Sequence, residues 1–135
     1  VDGGARVLIV DDHVMLRESM RVALELAAID VVGEAGDGNE ALRLVEELRP
    51  SVVLMDVSLP GPDGIDVTRR LCARDPELRV VMVTMHSNPA LVARAEVAAA
   101  VCGRRVQLRG RAVGRRRLWR GAVHARSAAP RARPS

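Results

Sequence analysis

The chain has 135 residues, 48% of them apolar, enough for one domain with a single core. No apolar run approaches the ~20 residues of a membrane span, and Val1-Asp2-Gly3-Gly4 lacks a basic stretch followed by an apolar signal segment, so the expected location is the cytoplasm, with no membrane partner. The net charge of +4 conceals a division: residues 1–93 hold 9 Arg against 16 Asp and Glu, net −7, whereas residues 94–135 hold 12 Arg against Glu96 alone, net +11.

Apolar runs and helical stripes alternate along the first part of the chain, which argues for a parallel sheet covered on both faces. A strand is expected at 6–10. Helix 1 follows at 13–27, with Leu16, Met20, Ala23, Leu24 and Ala27 recurring at helical spacing as its inner face. Strand 2 is read at 30–34. Asp37 caps helix 2 with Glu40 three residues on, and the stripe Ala41, Leu42, Val45, Leu48 stops before Pro50. Strand 3 spans 51–56. The turn-rich Leu59-Pro60-Gly61-Pro62-Asp63-Gly64 then leads into helix 3 at 65–74, which stops ahead of Pro76. Strand 4 is 78–84, and Asn88 or Ser87 opens helix 4 through Ala90, Leu91, Ala93, Arg94 and Val97. Beyond residue 98 neither a period of 2 nor one of 3.6 is sustained. Cys72 and Cys102 lack CxxC spacing and a histidine partner, so thiols are expected rather than a disulfide or a zinc site. Met15, Met20, Met55 and Met82 lie in apolar runs and read as core.

Three of these strands end on oxygen-bearing side chains. Val7-Leu8-Ile9-Val10 runs into Asp11-Asp12, Val52-Val53-Leu54-Met55 into Asp56, and Val80-Val81-Met82-Val83 into Thr84. Ligands of open α/β sheets gather at the C-terminal strand tips, so the pattern suggests a site for Mg²⁺ and a phosphoryl group. His13 and His86 flank it, but a hard-oxygen cage does not call for imidazole, and both read as rim residues.

The motifs Val10-Asp11-Asp12-His13, Val31-Val32-Gly33-Glu34-Ala35, Met55-Asp56-Val57-Ser58-Leu59-Pro60-Gly61-Pro62-Asp63-Gly64 and Val83-Thr84-Met85-His86 carry a resemblance. Residues 6 to about 95 resemble the receiver domain of bacterial two-component response regulators, especially the subfamily with a C-terminal LuxR-type helix-turn-helix. The resemblance implies an α/β, flavodoxin-like, doubly wound parallel sheet of order 2-1-3-4-5. It implies that Asp56 accepts a phosphoryl group from a sensor histidine kinase, becoming an aspartyl phosphate. Mg²⁺ would be held by Asp12 and Asp56, by Asp11 partly through water, and by the backbone carbonyl of Ser58. Thr84 would contact the phosphoryl group and act as the switch of this phosphorelay. Such a domain is an enzyme only in the limited sense that it catalyses its own phosphorylation and dephosphorylation. Homodimerisation is common in the family, and DNA is reached through the output domain that regulates transcription.

The chain departs from that pattern after helix 4. The family continues with a Gly-Ala-rich turn, a fifth strand carrying an aromatic switch and a lysine, a proline and a fifth helix, whereas this chain has no Lys, Tyr or Phe. Arg104 or Arg105 lies near the lysine's distance from Thr84, in a weak strand pattern. A fifth strand and fifth helix are therefore doubtful, and if the fifth strand is lost strand 4 would be an edge and activity would be impaired. The expected division is 1–97, an incomplete receiver domain, and 98–135, an Arg-rich tail around Trp119, disordered or aberrant and without a recognisable DNA-binding domain. A reading-frame shift near residues 94–97 would produce such a tail. Two other readings stand beside this one: a receiver-like interaction module that is not phosphorylated, and non-specific nucleic-acid binding through the net +11 tail.

Overall fold

Strand and helix alternate from the first apolar run onward. The computed structural model describes residues 4–84, 88–103 and 106–110. The elements are β1 (Arg6–Val10), α1 (Val14–Leu26), β2 (Asp30–Ala35), α2 (Gly38–Leu48), β3 (Val52–Asp56), α3 (Gly64–Arg74), β4 (Arg79–Thr84), α4 (Pro89–Cys102) and β5 (Val106–Gly110). The five strands form one parallel sheet of order β2-β1-β3-β4-β5. This is the α/β, flavodoxin-like order expected from the sequence. Among the described residues, no helix is long and apolar enough to cross a membrane.

Side chains alternate across a strand, so each strand feeds two cores. Leu8 and Val10 of β1, Val53 and Met55 of β3 and Val80 and Met82 of β4 point to one face, where they meet Ala41 and Val45 of α2, Ile65 and Leu71 of α3 and Ala95 and Ala98 of α4. Val7, Ile9 and Val31 point to the other, where Met20 and Leu24 of α1 cover them in a much smaller cluster. Both cysteines are half-buried against the larger core.

The helix starts are set by short polar side chains. Asp37 Oδ1 accepts the Glu40 N–H at 2.8 Å, Asp63 Oδ1 accepts the Asp66 N–H at 2.9 Å, and Asn88 Oδ1 accepts the Ala90 N–H at 3.0 Å. Each satisfies a backbone donor that the first helical turn leaves unpaired.

Three expectations are corrected. First, β4 is not an edge: β5 pairs along it from Val80↔Val106 to Thr84↔Gly110, and α4 continues to Cys102, past the break expected near 97. The pattern was hidden because α4 contacts the core through small residues, Ala95 and Ala98, which leave no strong apolar stripe. Second, α1 buries no residue fully, and Leu16, expected on its inner face, is 36% exposed. Third, Met15, expected in the core, is 80% exposed. Arg104, Arg105, His86, Trp119 and the doubtful fifth helix lie outside the described residues.

Gly64 opens α3 where the chain passes directly beneath the end of β3, its N–H donating to the Val57 carbonyl at 3.1 Å. A β-carbon there would fall inside the van der Waals envelope of the Asp56 carbonyl oxygen. Gly64→Ala is therefore expected to lower stability by about 2–3 kcal/mol, read as a lower urea midpoint at unchanged slope.

Candidate metal centre

Parallel pairing sets the height of each strand tip. β1 and β3 run side by side with Val10 opposite Met55, so the next residue of each, Asp11 and Asp56, stands at the same level beyond the last rung. Asp12 and His13 follow in the turn into α1. Ligand atoms of Asp11, Asp12, His13 and Asp56 all lie within 4.8 Å of one another.

Each acid is held differently. Asp11 is buried; its N–H donates to the Ala35 carbonyl at 3.0 Å and its Oδ1 accepts the His13 N–H at 2.8 Å, which closes the turn. Asp12 is more open and faces the His13 ring, Nδ1 to Oδ1 3.0 Å. Asp56 is half-buried, and its Oδ1 accepts the Ser58 N–H at 3.0 Å. Ser58 thus reaches the cluster through its backbone. Thr84 ends β4 one residue beyond the row in which Asp56 pairs with Val83. His13 stands at the rim, its side chain 71% exposed, bonded to both Asp11 and Asp12.

Burial pushes the Asp56 carboxyl above its ordinary value, and the negative charges of Asp11 and Asp12 push it further, against the opposing pull of the Ser58 N–H. The His13 imidazole is raised from its ordinary value chiefly by its hydrogen bond to Asp11 and by the charge of Asp12. The His13 shift reports the negative charge at the strand tips, and the Asp56 shift reports burial first and that charge second.

The donor set fits a hard divalent cation. It offers carboxylate oxygens from two strands, and it opens onto a depression of about 510 Å³ lined by Asp11, His13 and Asp56 together with the apolar Met15, Leu16, Met20 and Val83. Mg²⁺ takes oxygen donors from one or two carboxylates and keeps several waters, for which such an opening leaves room.

The sequence reading gave Arg17 and Glu34 no role, yet Arg17 Nη1 donates to the Asp11 carbonyl at 2.7 Å and Arg17 Nε to Glu34 Oε1 at 3.2 Å. The available signal was a charged residue just before the end of β2 and another one turn into α1.

Comparison with known proteins gives one consistent result. The response regulator receiver domain model matches residues 7–102. Response regulator GacA of Pseudomonas viridiflava is 44% identical over 81 residues, covering 59% of this chain and 38% of that protein. Transcriptional regulatory protein LiaR of Bacillus subtilis is 42% identical over 80 residues, 58% of this chain and 38% of its own length. This chain therefore spans about two fifths of the curated relatives it matches. The signal receiver domain of the response regulator NarL from Mycobacterium tuberculosis superposes with a TM-score of 0.70 at 31% identity, covering 95% of this chain and all of that one.

Crowding of like charges makes a stability prediction. A carboxyl raised in the folded state stabilises most when protonated, below its unfolded value, and that contribution is lost as pH rises through the folded value. In metal-free protein with chelator, Asp56→Asn is therefore expected to melt higher than wild type at pH 7, by roughly 2–5 °C given solvent screening. The gap should close as pH is lowered toward 4. Thermal scans across that range check it, and an equal gap at both ends would contradict it.

Proposed function

We propose, from the premise that this chain belongs to the response regulator receiver-domain family, that Asp56 accepts a phosphoryl group from a sensor histidine kinase in the cytoplasm. The observation that carries this reading is the convergence of Asp11, Asp12 and Asp56 at the tips of β1 and β3, with ligand atoms within 4.8 Å.

The chemistry follows from the charges. An Asp56 carboxylate oxygen attacks phosphorus, the P–N bond to the kinase imidazole breaks, and its electron pair returns to the ring. Nucleophile and phosphoryl oxygens are both anionic, and a divalent cation, when bound, supplies the neutralisation that lets them approach. Asp12 and Asp56 would hold that cation directly, Asp11 would support it partly through water, and the Ser58 carbonyl would complete the protein donors. The Ser58 N–H, at 3.0 Å from Asp56 Oδ1, orients the carboxylate before reaction. Met15, Leu16, Met20 and Val83 line the same depression and limit water on the apolar side. Thr84, the last residue of β4, would meet a phosphoryl oxygen and so pass the change along that strand.

One departure lowers the expected efficiency. With no lysine in this sequence, the second positive charge that the family sets against the phosphoryl oxygens, beside the cation, is not supplied by a lysine. Incubation with acetyl phosphate and Mg²⁺, followed by intact mass, is expected to show a ~80 Da adduct on part of the wild-type population and none on Asp56→Asn. No adduct on wild type would favour an interaction module that is not phosphorylated, and an adduct surviving Asp56→Asn would place the acceptor elsewhere.

A further inference from the structure

We propose that Arg17 is the positioning residue of the carboxylate cluster: clamped by Glu34, it fixes the Asp11–Asp12 peptide and so sets the affinity for a divalent cation. The inference rests on the reading of Asp11, Asp12 and Asp56 as a cation site.

Asp11 is the first residue past the end of β1, where the sheet ladder no longer holds the chain. Its N–H still reaches the Ala35 carbonyl on β2 at 3.0 Å, but its carbonyl is taken by Arg17 Nη1 at 2.7 Å. The oxygen of that carbonyl and the N–H of Asp12 belong to one planar unit. Fixing the oxygen therefore fixes the origin of the Asp12 side chain.

Arg17 is itself immobilised. Its Nε donates to Glu34 Oε1 at 3.2 Å, while Glu34 Oε2 accepts from Arg21 Nε at 2.9 Å, so one carboxylate holds two guanidinium groups from successive turns of α1. The Arg17 and Glu34 side chains are only 19% and 26% exposed, unlike those of an ordinary surface pair. Behind them Gly36 leaves the space that the guanidinium uses, since a β-carbon there would lie 3.3 Å from Arg17 Nη1. The first turns of α1 and the end of β2 thus converge on the single peptide from which the acidic pair projects.

Two effects of removing Arg17 have opposite signs, which makes the inference testable. Loss of one positive charge near the cluster tightens a cation, by about twofold in a water-like medium. Loss of the support behind the ligands weakens it, by about tenfold or more. Positioning is expected to win.

The experiment titrates Mn²⁺ into the full chain and follows water-proton relaxation, with circular dichroism melts to show that each variant is folded. Arg17→Met keeps the aliphatic stem and is expected to raise the Kd about fivefold or more, the loss of support outweighing the electrostatic gain. Arg17→Lys, which lacks the planar fork that spans the two acceptors, should fall between Met and wild type, and Glu34→Gln should weaken binding less than Arg17→Met. If Arg17→Met does not fold, the Lys and Gln variants carry the same test. A folded Arg17→Met, or in its place Arg17→Lys and Glu34→Gln, binding Mn²⁺ as tightly as wild type or more tightly overturns the inference alone. Wild type that binds no Mn²⁺ overturns the cation reading and this inference with it.

Discussion

Carboxylates gathered at one place repel each other, and everything around the tips of β1 and β3 is arranged to hold them there. When ionised, Asp11, Asp12 and Asp56 repel one another in the absence of a cation. What keeps them together is backbone: the Val10↔Met55 register levels the two strands, the Ala35 carbonyl holds the Asp11 N–H, and the Ser58 N–H steadies Asp56. The Asp56 carboxyl is shifted upward chiefly by burial, and the charges of Asp11 and Asp12 add to it. A site strained by like charge is one that a cation relieves, because the binding free energy then includes the removal of the repulsion.

The rigidity needed for this comes from an unequal division of the core. Helices α2, α3 and α4 bury the backs of β1, β3 and β4 with residues such as Ile65, Leu71, Ala95 and Ala98, all 2% exposed or less. Among the described residues the face toward α1 is thinner, resting on Val7, Ile9 and Val31 with Met20 and Leu24 above them. The carboxylates therefore project from a frame anchored on one side. The turn that carries Asp11 and Asp12 lies on the lightly packed side, where hydrogen bonds from Arg17 take over what packing does elsewhere.

Much of this was legible in the sequence, for identifiable reasons. Strands buried on both faces write continuous apolar runs, and an acid at the end of each run marks the tip, so β1, β3 and the positions of Asp11, Asp12 and Asp56 could be read directly. Asp37 and Asn88 marked helix starts because a short acceptor before a helix has a specific use. The failures are equally physical. Helical spacing finds an apolar stripe but not how deeply it is covered, so Met15 was assigned to the core although its side chain lies on the rim of the depression. The strand β5 was hard to read because Val106-Gln107-Leu108-Arg109-Gly110 is a short run broken by polar residues, and the fully buried residues of the helix before it are alanines. Arg17 and Glu34 were missed because a role exerted through a backbone carbonyl leaves no motif of its own.

The same geometry indicates where a change of charge at Asp56 acts first. The residue after it, Val57, donates its N–H to the Val83 carbonyl at 3.1 Å, and Asp56, Val83 and Arg109 occupy one row across β3, β4 and β5. A displacement of the Asp56 backbone therefore bears on the last rungs joining β3 to β4 before it reaches any helix. Those rungs lie next to the turn where Gly64 packs against the Asp56 carbonyl, which leaves the backbone little room to yield toward α3. The backbone neighbour joined to this segment by hydrogen bonds is the end of β4. Under the proposed phosphoryl transfer, strand pairing would carry a change at Asp56 toward β4.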